Sequence, residues 1–180
     1  MSDEVVVRFC APTLAAIKTG SLFSCKSASK DELYRDVRSL NKRLKGKGLR
    51  ILPLRYRDGH GLVYVYRPDR LGRDLMNEKS RQLLEPLGYN CSDQNRCVCC
   101  LQKRLNETEE FPHEIGLFLG YPPDDVDGFM NRRGQCCYTG YWKVYSHLDV
   151  ALKTFATYRH CTDALMHACQ KGKRLEEMAV

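Results

Sequence analysis

Residues 50–67 read RILPLRYRDGHGLVYVYR. Apolar and polar side chains alternate over Arg50–Arg57 and again over Gly61–Arg67, which is the period of a β-strand with one buried face. Between the two runs lies Asp58-Gly59-His60-Gly61, which has the glycine-rich composition of a tight hairpin turn. The segment therefore predicts an antiparallel β-hairpin.

Helices are predicted on both sides of this hairpin. Before it, Ser29 followed by Glu32 has the pattern of a capping box, and apolar residues then recur at helical spacing. This predicts a helix over about 29–45. Similar patterns predict further helices over about 68–88, 92–106, 122–131 and 146–170.

Few strands are predicted, and they do not alternate regularly with the helices. A second strand segment is predicted over about 139–145. Val5–Phe9 also favours a strand, with a helical turn as the alternative because the run is short. This arrangement favours an α+β fold. We expect one compact domain over residues 1–180, in which a small, mostly antiparallel sheet, made of the hairpin at about 50–67 and the strand at about 139–145, packs with several helices.

The composition points to a cytoplasmic protein without a membrane partner. The longest apolar runs, such as Ile115–Leu119, are far shorter than the roughly 20 residues that cross a bilayer. The first residues, Met1-Ser2-Asp3-Glu4, are acidic, whereas an export signal starts with basic residues.

Charge is unevenly distributed along the chain, whose net charge is +7. Residues 26–57 carry eleven basic against three acidic side chains, a net +8, and residues 101–130 carry two against seven, a net −5. The basic region 42–57, with Tyr56, Tyr64 and Tyr66, predicts either a nucleic-acid-binding face or a solvated helix face and charged hairpin. The acidic segment opposes the first alternative.

Four segments of the sequence resemble a known family. They are CAPTLAAIKTGSLFS (10–24), VYVYRP (63–68), FPHEIGLFLGYPPDDV (111–126), and GYWKVY (140–145) followed by YRHC (158–161). Together they are similar to the bacterial domain-of-unknown-function family 3793. The resemblance implies a single-domain bacterial protein and brings no activity, cofactor or catalytic residue. Residues 91–100 are not part of the shared pattern.

Cys10 is the first candidate for chemistry. Pro12 favours the first turn of a helix, which predicts a helix over about 11–19 with Cys10 at its N-terminal edge. There the helix dipole would lower the thiol pKa and create a nucleophile, a sulfur carrier or a metal ligand. The alternative is a small buried side chain that packs like alanine.

The second candidate is the pair His113-Glu114, which follows Pro112 and precedes an apolar run. His113 could act as a general base or a metal ligand, with Glu114 as its orienting group or as an acid. The alternative is a helix start at which the Glu114 carboxylate accepts hydrogen bonds from backbone N–H groups. The two acids Asp124 and Asp125 have the position of helix caps.

The third candidate is a metal site. Cys97-x-x-Cys100 has the spacing of one half of a zinc or iron–sulfur site, and Cys136 or Cys161 could complete it. No second Cys-x-x-Cys exists in the sequence, so free thiols on a helix are the alternative.

These candidates lead to three hypotheses for function. With ten cysteines in a chain expected in the cytoplasm, the leading hypothesis is a thiol-dependent binding or accessory protein for a metal, a sulfur species or a small redox ligand. The second is an enzyme with Cys10 as nucleophile and His113 as base. The third is a nucleic-acid-binding adaptor that uses the basic region 42–57. The cofactor is left open, with zinc and iron–sulfur as the choices.

Overall fold

The computed structural model describes residues 1–108, 110–131 and 136–180. Its helices are α1 (Asp3–Leu14), α2 (Lys30–Arg43), α3 (Pro68–Met76), α4 (Glu78–Leu84), α5 (Gln94–Glu107), α6 (Ile115–Phe118), α7 (Pro123–Asn131), α8 (Leu148–Gln170) and α9 (Leu175–Met178). Its strands are β1 (Gly20–Lys26), β2 (Arg50–Arg57), β3 (His60–Tyr66), β4 (Tyr138–Thr139) and β5 (Lys143–Val144). The predicted α+β class is confirmed.

The chain divides into two units, residues 1–69 with 158–180, and residues 70–157. The prediction of one domain over residues 1–180 stays a prediction. In the described ranges of both units, no helix is long and apolar enough to cross a membrane.

The first unit is built on a three-stranded antiparallel sheet of order β1-β3-β2. The predicted hairpin is confirmed: β2 and β3 pair directly, and the chain reverses at Asp58-Gly59, where both residues have positive φ angles. This is the geometry of a tight hairpin turn that matches the twist of the sheet. The outer strand β2 contains Pro53, and a bulge follows between Pro53 and Arg55.

The core of the first unit lies between one sheet face and helices α1, α2 and α9. Val63 and Val65 of β3 belong to this core, together with Leu33, Val37 and Leu40 of α2. The predicted N-cap of α2 is confirmed, because the Ser29 hydroxyl accepts a hydrogen bond from the Glu32 backbone N–H at 3.1 Å. A helical stripe and an alternating strand therefore bury their apolar sides against each other, as their periods predict.

The N-terminal segment is a helix, so the strand predicted over Val5–Phe9 and the helix start predicted at Pro12 are both wrong. α1 begins after Ser2, whose hydroxyl accepts a hydrogen bond from the backbone N–H of Val5. Asp3 adds a negative charge to the first turn, which the helix dipole favours. Three consecutive valines locally favour a strand, but burial of one helix face outweighs that preference. The buried face consists of Val6, Val7, Cys10, Ala11 and Leu14.

Arg67 ties distant parts of the first unit together. Its guanidinium donates hydrogen bonds to the backbone carbonyls of Thr13 and Leu14, each at 2.7 Å, and of Lys47 at 3.0 Å. It also donates to the carbonyl of Val180 at 2.7 Å. Because Arg67 is 8% exposed, these acceptors replace the water that its charge loses on burial.

The second unit consists of α4–α7, the β4–β5 hairpin, and parts of α3 and α8. The single helix predicted over 68–88 is interrupted at Asn77, whose side chain caps α4 by accepting hydrogen bonds from two backbone N–H groups. The strand predicted over 139–145 is wrong in detail, because it is two short strands that reverse direction after Gly140. A Cβ at Gly140 would lie 2.3 Å from the Phe155 ring, so glycine is needed where that ring packs.

Candidate functional site

A cavity of about 350 Å³ lies within the second unit. It is formed by the segment before α6, the α6–α7 connection, α7 itself and the turn of the β4–β5 hairpin. This volume is within the range of small-molecule sites, which is ~300–1,000 Å³. Five of its described lining residues are phenylalanine, tyrosine or tryptophan: Phe111, Tyr121, Phe129, Tyr141 and Trp142.

Asp125 fixes one wall of this cavity. Its carboxylate is 3% exposed and accepts hydrogen bonds from the Trp142 indole N–H at 2.7 Å and from the backbone N–H groups of Tyr145 at 2.7 Å and Ser146 at 3.0 Å. The carboxylate therefore holds α7 against the β4–β5 hairpin and sets the orientation of the indole. Its position beside Asp124 suggested a helix cap, and the sequence carried no signal for these partners.

Two glycines allow close packing, Gly116 in the cavity wall and Gly128 on α7 next to it. A Cβ at Gly116 would lie 2.8 Å from a Val126 methyl group and 3.2 Å from the Tyr121 ring. A Cβ at Gly128 would lie 2.5 Å from the Tyr145 ring. Because real Cβ atoms essentially never come within 3.0 Å of other atoms, larger residues at these positions would force their neighbours apart.

His113 and Lys143 bring nitrogen atoms to the same aromatic ring. The His113 imidazole meets Phe129 edge to face, with ring centroids 4.8 Å apart. The Lys143 ammonium lies 5.0 Å from the centroid of the Phe129 ring, a cation–π contact. Both residues line the cavity. Among the described residues, neither the imidazole nor the ammonium has a hydrogen-bond or ion-pair partner, so both can contact a ligand.

Glu114, unlike His113, is not a lining residue of the aromatic cavity. It is 2% exposed and accepts hydrogen bonds from Arg104 Nε at 2.6 Å and from the Tyr89 hydroxyl at 2.9 Å. Burial, together with the neighbouring Glu114 carboxylate, raises the pKa of Tyr89. Glu114 makes no capping hydrogen bond at the start of α6, so the predicted cap is wrong. It lines a second, more polar cavity of about 550 Å³, which His113 also lines.

Of the two alternatives for Cys10, the structure agrees with a small buried side chain. It lies in the second half of α1 and is 0% exposed, and burial raises the pKa of its thiol to about 12. The expectation of a thiol with a lowered pKa at a helix N-terminus is therefore wrong. Cys10 belongs to the first unit and His113 to the second, and the ring contact of His113 is with Phe129. Cys10 therefore packs in the core as a small apolar side chain, much as alanine would.

The cysteines proposed as metal ligands do not gather into a site within the described ranges. There, no group of three or more His, Cys, Asp or Glu side chains could hold a metal ion. The Cys97 thiol is buried on α5 and donates to the Asn90 carbonyl at 3.1 Å, and burial raises its pKa to about 12. Burial also raises the pKa of Cys100 and of Cys161. Cys136 Sγ lies 3.8 Å from the Thr139 hydroxyl, and Thr139 lines the aromatic cavity.

Two of the three tyrosines predicted to stack on bases beside the basic region 42–57 are buried. Tyr64 and Tyr66 are 0% and 2% exposed, and their rings stack on each other with centroids 4.7 Å apart. Their predicted role in base stacking is wrong. Arg43 forms ion pairs with Asp3 at 2.7 Å and Glu176 at 2.8 Å, which neutralise part of the charge.

Comparison with known proteins identifies the chain at the level of its family. Residues 6–179 match a family described as a protein of unknown function, DUF3793. The chain belongs to this family, as the four sequence segments suggested. No curated protein and no solved structure matches the chain.

Proposed function

We propose that this protein binds a small organic molecule in the aromatic cavity of its second unit. The observation that carries the proposal is a cavity of about 350 Å³ whose described lining residues include five aromatic side chains and only a few polar groups. Small-molecule sites have this composition, because rings supply apolar contact area and a few polar atoms fix the orientation of the ligand. A binding or accessory role is the part of the leading sequence hypothesis that this geometry supports.

Trp142 provides a direct test. It is the single tryptophan of the sequence and lines the cavity, so its indole ¹H–¹⁵N signal reports on this site alone. Titration with a set of flat one-ring and two-ring compounds is expected to shift that signal. Phe129→Ala removes one wall and should weaken binding about fivefold, since a ring contact contributes ~0.5–1.5 kcal/mol.

Phe9→Ala is the matched control, because Phe9 is an exposed aromatic residue of the first unit that does not line the cavity. It should leave binding unchanged. If no compound shifts the Trp142 signal at millimolar concentration, or if Phe129→Ala and Phe9→Ala have equal effects, the proposal is wrong.

A thiol-dependent form of this proposal depends on Cys136 and Cys137. The described residues that line the cavity include no cysteine, but Cys136 contacts Thr139 at the cavity edge, and the Cys137 thiol is 3.5 Å from the Tyr145 carbonyl. A bound ligand that engages either thiol should slow its alkylation by iodoacetamide, whereas alkylation of Cys99, exposed on α5, should not change. Equal alkylation rates with and without ligand would show that the ligand engages neither thiol and binds only to the aromatic walls.

A further inference from the structure

The charges around the aromatic cavity point to the class of ligand, an inference that rests on the function proposed above. We propose that the ligand is a planar aromatic anion. Its ring lies among the aromatic walls, and its acidic group faces Lys143 and His113.

The walls favour a flat ring. Trp142 is in ring contact with Tyr121, with centroids 5.0 Å apart, and with Phe155, at 4.5 Å and an interplanar angle of 76°. The cavity therefore presents edges and faces of fixed rings, and aromatic pairs prefer offset or edge-to-face packing. A volume of about 350 Å³ is near the lower end for small-molecule sites, which favours a compact ligand of one or two fused rings.

The polar groups of the lining favour a negative charge. Asp125 is the one carboxylate among the described lining residues, and its oxygens already accept hydrogen bonds from Trp142, Tyr145 and Ser146. A cationic ligand would meet no uncommitted carboxylate among the described lining residues, and it would be repelled by the Lys143 ammonium. An anion, in contrast, would give the ammonium and the imidazole an acceptor.

The different burial of Trp142 and Lys143 sets the orientation in which such a ligand would bind. Trp142 is 9% exposed, whereas Lys143 is exposed. The adjacent residues of β5 and its turn therefore place the indole inside and the ammonium at the mouth. The ring of the ligand would exclude water within the cavity, and its acidic group would remain at the rim beside Lys143.

Three naphthalene compounds of matched shape test this proposal: naphthalene-2-carboxylate, naphthalene-2-carboxamide and 2-(aminomethyl)naphthalene. Binding is measured by calorimetry and by the Trp142 indole ¹H–¹⁵N signal. The carboxylate is expected to bind about tenfold more tightly than the amide, since hydrogen bonds to charged groups are the stronger ones. The amine is expected to bind most weakly.

Lys143→Gln should weaken binding of the carboxylate more than binding of the amide, and so reduce the preference for the carboxylate to about twofold. The matched control is Lys153→Gln, on an exposed lysine of α8 that does not line the cavity. It should preserve the full preference, because a distant surface charge is largely screened.

The outcomes separate this inference from the function on which it rests. Equal binding of carboxylate and amide, or tighter binding of the amine, overturns the anionic class and leaves a small-molecule cavity. If none of the three compounds shifts the Trp142 signal, both this inference and the assignment of the cavity to such ligands fail. Loss of the preference in Lys153→Gln as well would show that net charge, and not Lys143, selects the ligand.

Discussion

Replacing Asp125 by Asn tests whether one buried carboxylate organises the aromatic cavity. Asp125 accepts hydrogen bonds from an indole N–H and two backbone N–H groups. Asn would keep its carbonyl oxygen for the N–H groups of Tyr145 and Ser146 but would turn an NH₂ group toward the Trp142 N–H. Two donors would then face each other in a buried site.

The cost follows from these contacts. A hydrogen bond to a charged group contributes ~1.5–3 kcal/mol, and an orphaned buried donor adds a penalty of ~1–3 kcal/mol that local adjustment partly relieves. Asp125→Asn should therefore lower the free energy of unfolding by about 2–4 kcal/mol. For a urea dependence of ~2 kcal/mol per M, the midpoint of unfolding falls by about 1–2 M.

The assay is urea unfolding followed by Trp142 fluorescence. The control is Asp127→Asn on the same helix, where the carboxylate accepts an exposed hydrogen bond from Asn131 at 2.5 Å. It should change stability by less than about 0.5 kcal/mol. In a Trp142→Phe background, followed by far-UV circular dichroism, the cost of Asp125→Asn should shrink by about 1–2 kcal/mol. Equal stability of Asp125→Asn and Asp127→Asn would refute this account.

Three further predictions concern stability. Burial raises the pKa of Cys10 from 9.0 to about 12, so between these pH values the folded state keeps a proton that the unfolded state releases. The difference in the free energy of unfolding between wild type and Cys10→Ala should therefore decline from pH 9 to 12. A constant difference would contradict this. Arg43 lowers the pKa of Glu176 from 4.5 to about 2, so the stability that this ion pair contributes is present above pH 4.5 and is lost as the pH falls to 2. Arg43→Met should therefore lower the free energy of unfolding by about 1–2 kcal/mol at neutral pH and by little near pH 2. Lys42→Met, at an exposed lysine, is the control and should leave the acid titration of stability unchanged. If residues 1–180 form one cooperative domain, urea transitions seen by Trp142 fluorescence and by far-UV circular dichroism should coincide, and two separated midpoints would contradict a single domain.

The parts of the fold that the sequence predicted are those with local signals. The β2–β3 hairpin has alternating residues around Asp58-Gly59, and α2 has a serine cap followed by a regular apolar stripe. The N-terminal helix was missed, because three valines fit either a strand or a helix and only burial of the α1 face decides between them. The interruption at Asn77 was missed because apolar spacing continues on both sides of it.

The candidate site was only partly predictable. His113 was noticed because a polar pair stands in an apolar segment. Phe129 and Lys143 meet only because α7 and the β4–β5 hairpin fold together, and nothing in their local sequence indicates this. For Cys10 the sequence left an activated thiol and a buried side chain as alternatives. The first depended on a helix start at Pro12, whereas α1 begins after Ser2 and buries Cys10.

The outer strand β2 has a consequence for self-association. An outer strand presents backbone groups that can pair with another chain, and regular, uncharged edges promote aggregation. Pro53 has no N–H to offer an incoming strand, and the bulge before Arg55 breaks the regular spacing of the remaining groups. Arg50, Arg55 and Arg57 add like charges that would repel a second copy of the same edge. The positive charge that suggested nucleic-acid binding therefore also protects this sheet from edge-to-edge pairing.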